Sequence, residues 1–443
     1  MSAVQAAGAG GPQRSGPEVF IETSRALPLV SFSIALKTGS VLDPAGMSGA
    51  TRMLTRWMRR TAGGRDANVI DTEIDALGGA FGADVSPSTV VFQGTVITRS
   101  LDGLMRIATD VIARPGFAEE ELERLRRETL AELTEALDDD RGLSRRWFRQ
   151  RMFGEHPYAR SVSGTPSTLA RIQASDLKAL YARIVRPENL IFAFSGDIER
   201  PRAEALAAAL CSQLPSGPAP SDPTPETPVI PGRRLVFVDK PDRTQTQILI
   251  GGLGTHPLDP DHLALHVANT VFGGTFTARL TQEVRAKRGW SYGAYSSLPI
   301  DRRRQAFSMW TFPKAEDAAP CIQLELEMLH ALREKGITKR ELSWAKKYLA
   351  RSHAFALDTA SKRVGLLLDS ALYGLPPGYY ENYVEHVKAI TLEQANAAVV
   401  ERLSEKDLLV AVVGTAAQIG DTVKAAIPEL SSSEIVAFDA EAS

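Results

Sequence analysis

The chain repeats itself, and that repeat leaves few folds open. A proline-rich stretch, Pro215-Ser-Gly-Pro-Ala-Pro-Ser-Asp-Pro-Thr-Pro-Glu-Thr-Pro-Val-Ile-Pro231, divides the 443 residues close to their midpoint. Proline at that density removes ladder donors and stiffens the backbone, which predicts an exposed, semi-rigid linker. The segments on its two sides follow one order. Each opens on an apolar strand, 29–36 and 246–253, followed by a helix, 48–60 and 262–272. A glycine-containing turn then leads toward a strand, Ala76-Leu77-Gly78-Gly79-Ala80-Phe81 and Lys287-Arg288-Gly289-Trp290-Ser291-Tyr292. Amphipathic helices are expected at 118–137 and 316–335, and each half closes on an apolar strand ending in glycine, 190–196 and 408–414. Such self-similarity predicts a duplicated domain of about 200 residues. Grouped strands separated by helices favour an α+β fold, two homologous domains each with helices on a largely antiparallel sheet; a doubly wound parallel sheet is the alternative. The expected boundaries are a flexible tail at 1–17, a first domain at 18–214, the linker at 215–232 and a second domain at 233–443.

A content of 44% hydrophobic and 23% charged residues is that of a soluble globular protein. A net charge of −2 gives no reason to expect nucleic acid or an anionic membrane as partner. No apolar run approaches the roughly 20 residues that span a bilayer. The opening residues lack the basic-then-apolar order of a secretory signal, so the expected compartment is the cytoplasm, or the periplasm had a signal been removed. Cys211 and Cys321 lie far apart and read as buried free thiols.

Several short motifs share one order along the chain. They include Asp43-Pro44-Ala45-Gly46, His156-Pro157-Tyr158, Arg186-Pro187-Glu188-Asn189, Gly273-Gly274-Thr275-Phe276 and Tyr373-Gly374-Leu375-Pro376. In that order the chain resembles the M16 (pitrilysin-type) zinc peptidases over nearly everything after residue 18. The resemblance implies two homologous domains related by a pseudo-twofold, and two such units closing around a chamber. Where the family carries His-x-x-Glu-His, this chain reads Arg52-Met53-Leu54-Thr55-Arg56. The family's chemistry needs two neutral imidazoles one helical turn apart and a glutamate as general base. Arginine stays protonated and offers no lone pair, and a threonine hydroxyl is too weak a base. Glu132 falls about where the family's third ligand lies; with both imidazoles gone it reads as a charged residue on its helix beside Arg124, Arg126 and Arg127, and a salt bridge to Arg52 or Arg56 in the vacated pocket is the alternative. This chain is therefore expected to bind no metal, with Zn2+ on a partner.

The family's second-domain pair is retained. By resemblance, Tyr292 donates to the scissile carbonyl as it becomes an oxyanion, and Arg285, seven positions earlier, grips substrate backbone. Arg288 and Tyr295 share that spacing and form the alternative pair. In the family an extended peptide adds to an edge strand of the catalytic domain, which corresponds here to residues 80–85, with Gly78, Gly79 and Gly82 permitting close backbone approach. The expectation is thus a non-catalytic subunit of a heterodimeric M16B zinc peptidase, inactive alone. It would pair with a homologous chain that carries His-x-x-Glu-His and act on peptides or unfolded polypeptide; the pyrroloquinoline quinone precursor peptide is one substrate this permits. The alternatives are an inert scaffold, like the core subunits of respiratory complexes, and a peptide-binding module without hydrolysis. His262 and His266 have metal-ligand spacing but no acid between them, and read as surface or interface packing. His156 reads as structural, and His353 sits beside Lys347 and Arg351, which would repel a metal cation.

Overall fold

The computed structural model describes residues 17–222 and 224–441; the tail expected at 1–17 lies outside them except for its last residue. The chain folds into two compact units. One comprises residues up to Leu133 with Ser161–Pro223 and Ala354–Tyr380, the other Thr134–Arg160, Thr224–His353 and Glu381 onwards. Among the described residues, thirteen strands run in chain order: β1 Glu18–Thr23, β2 Leu29–Leu36, β3 Thr61–Ala62, β4 Arg65–Asp66, β5 Ala80–Val85, β6 Val90–Ile97, β7 Leu190–Gly196, β8 Arg233–Asp239, β9 Gln247–Leu253, β10 Ala294–Ser297, β11 Ala306–Thr311, β12 Leu409–Gly414 and β13 Leu430–Ala437.

The duplication is visible in the strand order. The first unit's sheet runs β1-β7-β2-β6-β5 and the second unit's β10-β11-β9-β12-β8-β13. Read from the other edge, the second is the first with β13 added. The strand senses match as well. β1 and β7 are parallel, as are β8 and β12, and the remaining pairs out to β5 and β10 are antiparallel. β13 adds one more parallel pair, to β8.

The central strands are apolar on both faces because both faces are covered. β7 buries Leu190 through Phe194 without interruption. Ile191 and Ala193, with Ala35 of β2, meet Val364, Leu368 and Leu372. These three lie one turn apart on the helix Ala360–Tyr373, which comes from the far half of the sequence. Arg363 fixes that helix through Glu22 of β1, at 2.8 Å. The second unit shows the reciprocal arrangement. The helix Asp140–Phe153, from the first half of the sequence, packs on β8, β9 and β12. Gly251 leaves the space its Phe148 occupies: a Cβ there would stand 3.0 Å from the ring. Lys240, buried, donates to Asp140 Oδ1 at 2.7 Å and to the Leu137 carbonyl at 2.6 Å, and so anchors the helix start.

The proline-rich stretch has no regular structure but is not simply exposed. Thr224 and Thr227 are buried, and Thr227 donates to the Arg304 carbonyl at 2.8 Å. His156 bonds to the Pro225 carbonyl at 3.0 Å through Nε2, so its ring ties the stretch to the second unit. Cys321 is fully buried and Cys211 half-buried; both are free, and burial pushes the Cys211 thiol up to about 11. Among the described residues no helix is long and apolar enough to cross a membrane.

Candidate functional site

Arg52, Thr55 and Arg56, where the resemblance expects a degenerate zinc motif, lie in the first unit, on the helix Ala50–Arg60. Asp43 caps its start, accepting from Gly49 N and Thr51 N, both at 2.8 Å, and from Thr51 Oγ1 at 2.6 Å. A carboxylate there satisfies orphan donors and complements the helix dipole. Met53, Leu54, Trp57 and Met58 turn into the core, which leaves Arg52 and Arg56 one turn apart on the open side. The helix Glu119–Glu135 runs past them, with Leu122, Leu125 and Thr129 buried and Glu132 half-buried.

Arg56 grips Glu132 with both nitrogens, Nη2 to Oε1 at 2.7 Å and Nη1 to Oε2 at 3.0 Å, and Nη1 also reaches Thr129 Oγ1 at 3.1 Å. Arg52 Nη2 meets Glu132 Oε2 at 3.1 Å. One turn on, Arg60 pairs with Glu128, which also lies 3.8 Å from Arg56. Arg52, Arg56 and Glu132 are therefore brought together, and Thr55 is not. Its hydroxyl is buried and donates to the Thr51 carbonyl at 2.8 Å. The donor set does not suit zinc. Two guanidiniums fill the ligand positions, and the remaining carboxylate is already bound on both oxygens. Among the described residues, no three His, Cys, Asp or Glu side chains are grouped as metal ligands.

Partial burial pushes the Glu132 carboxyl up, but the hydrogen bonds from Arg56 and Arg52 outweigh it and hold the group below its ordinary value. Its side chain is 42% exposed, so solvent screening keeps the ion pair's contribution near 1 kcal/mol. Glu132→Gln is expected to lower stability by about that much at neutral pH without changing activity. The stabilisation is present above the ordinary glutamate value of about 4.5 and fades as pH falls through the depressed folded value. Chemical denaturation of wild type and variant should therefore converge in acid.

The second element lies in the second unit. Residues Gln282–Lys287 form a π-helical segment, a geometry that occurs often at functional sites. It ends at Gly289, whose φ of +67° turns the chain where a side chain would be strained. Ser291 Oγ donates to the Gly293 carbonyl at 2.6 Å and accepts from Phe312 N at 3.0 Å, which pins the loop into β10. Tyr292 stands out from it, 73% exposed. The Arg285 guanidinium lies over the Tyr292 ring at 4.1 Å and over the Phe276 ring at 4.5 Å. These cation–π contacts hold the guanidinium in place without using its N–H groups. Nη1 is buried with no hydrogen-bond partner among the described residues. Fixed, unspent donors beside an exposed phenol suit a carbonyl or oxyanion.

The alternative pair is divided between other tasks. Arg288 bonds to the carboxylate and the carbonyl of Glu283, while Tyr295 sits in β10, stacked on Trp310 at 6.3 Å. β5 is an edge strand, paired only with β6 and mostly exposed, and open space surrounds the position of a Cβ on Gly82.

His262 is not a surface residue. It is buried and bonds through Nδ1 to Thr255 at 2.9 Å. Burial pushes His262 down to about 3 and His266 to about 4, so both rings are neutral and stack as packing groups. His353 stacks on Tyr383 at 4.7 Å. A groove of about 680 Å³, lined by Val271, Leu324, Met328 and Trp344, opens beside Gln282 and Glu283 of the π-helical segment. It has no sequence signature, because its walls come from separate helices.

Two family profiles cover most of the chain: "Insulinase (Peptidase family M16)" over residues 18–166 and "Peptidase M16 inactive domain" over 171–349. The chain belongs to the M16 peptidase family. It is 28% identical to an uncharacterized zinc protease of Mycobacterium leprae, over 88% of each chain. It is 22% identical to the non-peptidase homolog YmxG of Helicobacter pylori, over 89% of this chain and 91% of that one. Among solved structures it resembles a peptidase M16 inactive domain from Pseudomonas fluorescens, with a TM-score of 0.84 and 27% identity over 90% of this chain and 95% of the other.

Proposed function

We propose that this chain is the non-catalytic, substrate-gripping subunit of a heterodimeric M16B zinc peptidase. It supplies Arg285 and Tyr292 to an active site whose zinc, ligands and general base belong to a homologous partner. The observation that carries the reading is the contrast between two sites on one chain. The metal pocket is filled by the Arg52–Glu132–Arg56 pairing, while Arg285 keeps an unpartnered donor against an exposed Tyr292. A chain relieved only of zinc chemistry would lose the first site and keep the second. The substrate is peptide or unfolded polypeptide, and the pyrroloquinoline quinone precursor is one peptide of that kind. The open edge of β5 favours a second reading, in which the chain binds extended peptide without hydrolysis. Sedimentation of this chain with a homologue bearing His-x-x-Glu-His tests the proposal. A one-to-one complex is expected, and two species sedimenting independently would refute it.

A further inference from the structure

The helix Asp140–Phe153 carries five arginines, and they divide into two sets. Two are tied to the end of the second unit's sheet. Arg151 pairs with Glu434 of β13, and Arg146 donates to the Ala440 carbonyl at 3.0 Å. The other three, Arg141, Arg145 and Arg149, follow one another at four-residue intervals and so form one row along the helix. None of the three makes a salt bridge or a side-chain hydrogen bond among the described residues. Arg141 lies 3.8 Å over the Trp310 ring and uses no N–H group in doing so. The half-buried Arg149 has a buried Nε without a partner.

Carboxylates that could neutralise the row are otherwise engaged. Asp140 is bound by Lys240 at 2.7 Å and approached by Arg243 at 3.6 Å. Asp139 is the one acid whose charge favours Arg145, opposed there by burial and by Arg141. Burial works against the charge of Arg149 with nothing opposing it. Retaining partly desolvated cations with little counter-charge is costly, and a bound anion relieves that cost.

Arg141, at the start of the row, lies on a face of the same sheet that leads toward Tyr292. Trp310 of β11 pairs in register with Tyr295 of β10, and the rings stack. Ser308 and Ser297 form the next pair, linked at 3.1 Å. These four side chains are partly or fully exposed, and β10 begins two residues after Tyr292.

We infer that Arg141, Arg145 and Arg149 form a subsite for an acidic extended peptide. Residues four apart on a helix are spaced by about 6 Å along its axis. Alternate residues of an extended strand, which share a face, are spaced by about 6.6 Å. The row therefore matches acidic side chains at every second position of an extended substrate, with Trp310 and Tyr295 offering a flat surface beside them. The inference rests on the reading of this chain as a peptide-binding subunit and names the class of peptide.

Fluorescence anisotropy with short labelled peptides tests it on the full chain. The peptides carry glutamate, glutamine or lysine at three alternating positions in an otherwise fixed sequence. The glutamate peptide is expected to bind about tenfold or more tightly than the glutamine peptide, with an advantage that shrinks as salt is raised. Arg145→Gln with Arg149→Gln should abolish that advantage, and Arg145→Lys with Arg149→Lys should restore part of it. Equal binding of all three peptides to the wild-type chain would overturn the acidic subsite and leave peptide binding intact. Binding of none would overturn the subsite and the peptide-binding reading together. An oligonucleotide that displaces the glutamate peptide at similar concentration would also overturn it, in favour of a general polyanion surface. The wild-type comparison decides the matter even where an arginine variant fails to fold.

Discussion

In a mixture of this chain with a zinc-bearing homologue, Tyr292→Phe should lower kcat by roughly 10²–10³-fold, the usual effect of removing one donor to an oxyanion. Its KM should change little, because the lost bond forms only as charge develops on the scissile carbonyl. Folding should be unaffected, since Tyr292 is 73% exposed and its ring remains available to Arg285. Arg285→Ala should act differently. Arg285 lies over both the Phe276 and the Tyr292 rings, so its removal takes away the proposed substrate donor and also frees the phenol to move. Both KM and kcat should suffer. Arg285→Lys should rescue little, because an ammonium cannot reproduce a planar guanidinium lying over two rings. Steady-state kinetics on an internally quenched peptide separate these effects. Unchanged kinetics for both variants would leave the Arg285–Tyr292 stack as surface decoration and would favour the scaffold reading.

The largest stability effect is expected in the core of the second unit. Glu325, on the helix Ala318–Lys335, is fully buried, and neither carboxylate oxygen meets a donor in hydrogen-bonding geometry among the described residues. Burial pushes its carboxyl up to about 8, opposed only weakly by the nearby Thr311 hydroxyl. Cys321, one turn earlier, spends its thiol on Thr311 Oγ1 at 3.7 Å. The folded chain therefore holds a proton at neutral pH that the unfolded chain has released. Stability is fully present below the ordinary glutamate value of about 4.5, falls as pH rises, and levels off above about 8. Glu325→Leu should remove that slope and raise stability near pH 8 by about 1–4 kcal/mol. Glu325→Gln should remove the slope while gaining less, since an unpaired amide is also costly to bury. Urea titrations between about pH 5 and about pH 9 read both effects. Parallel curves for wild type and Glu325→Leu would show that the carboxyl is solvated in the folded state.

Part of each sheet was legible because those strands are apolar runs, most of them bounded by glycine. The expected strands at 29–36, 80–85 and 190–196 and the helix at 262–272 coincide with β2, β5, β7 and the helix His262–Phe272. The exchanged helices were not. Nothing local in Asp140–Phe153 or Ala360–Tyr373 says that each covers a sheet built from the other half of the sequence. β1, β6, β8, β11 and β13 were missed; β13 is mostly exposed, and its polar run Ser431-Ser432-Ser433 carries no apolar signal. At the degenerate zinc motif, the mismatch of Arg52 and Arg56 with zinc follows from side-chain chemistry alone. The bidentate grip on Glu132 required two helices to meet. The contact of Arg285 with two rings was illegible for the same reason, since Phe276 precedes the π-helical segment and Tyr292 follows it. Glu325 shows the limit most clearly. Its position in the sequence resembles that of any glutamate on an amphipathic helix, and only packing reveals that it is fully buried.

On the proposed function, this chain holds half of an active site. The most direct measurement titrates it into a fixed amount of the zinc-bearing homologue and follows cleavage of an internally quenched peptide. Each chain should be inactive alone, and activity should rise with added chain until it saturates at one-to-one stoichiometry. Full activity from the homologue by itself, unchanged by any addition of this chain, would contradict the account.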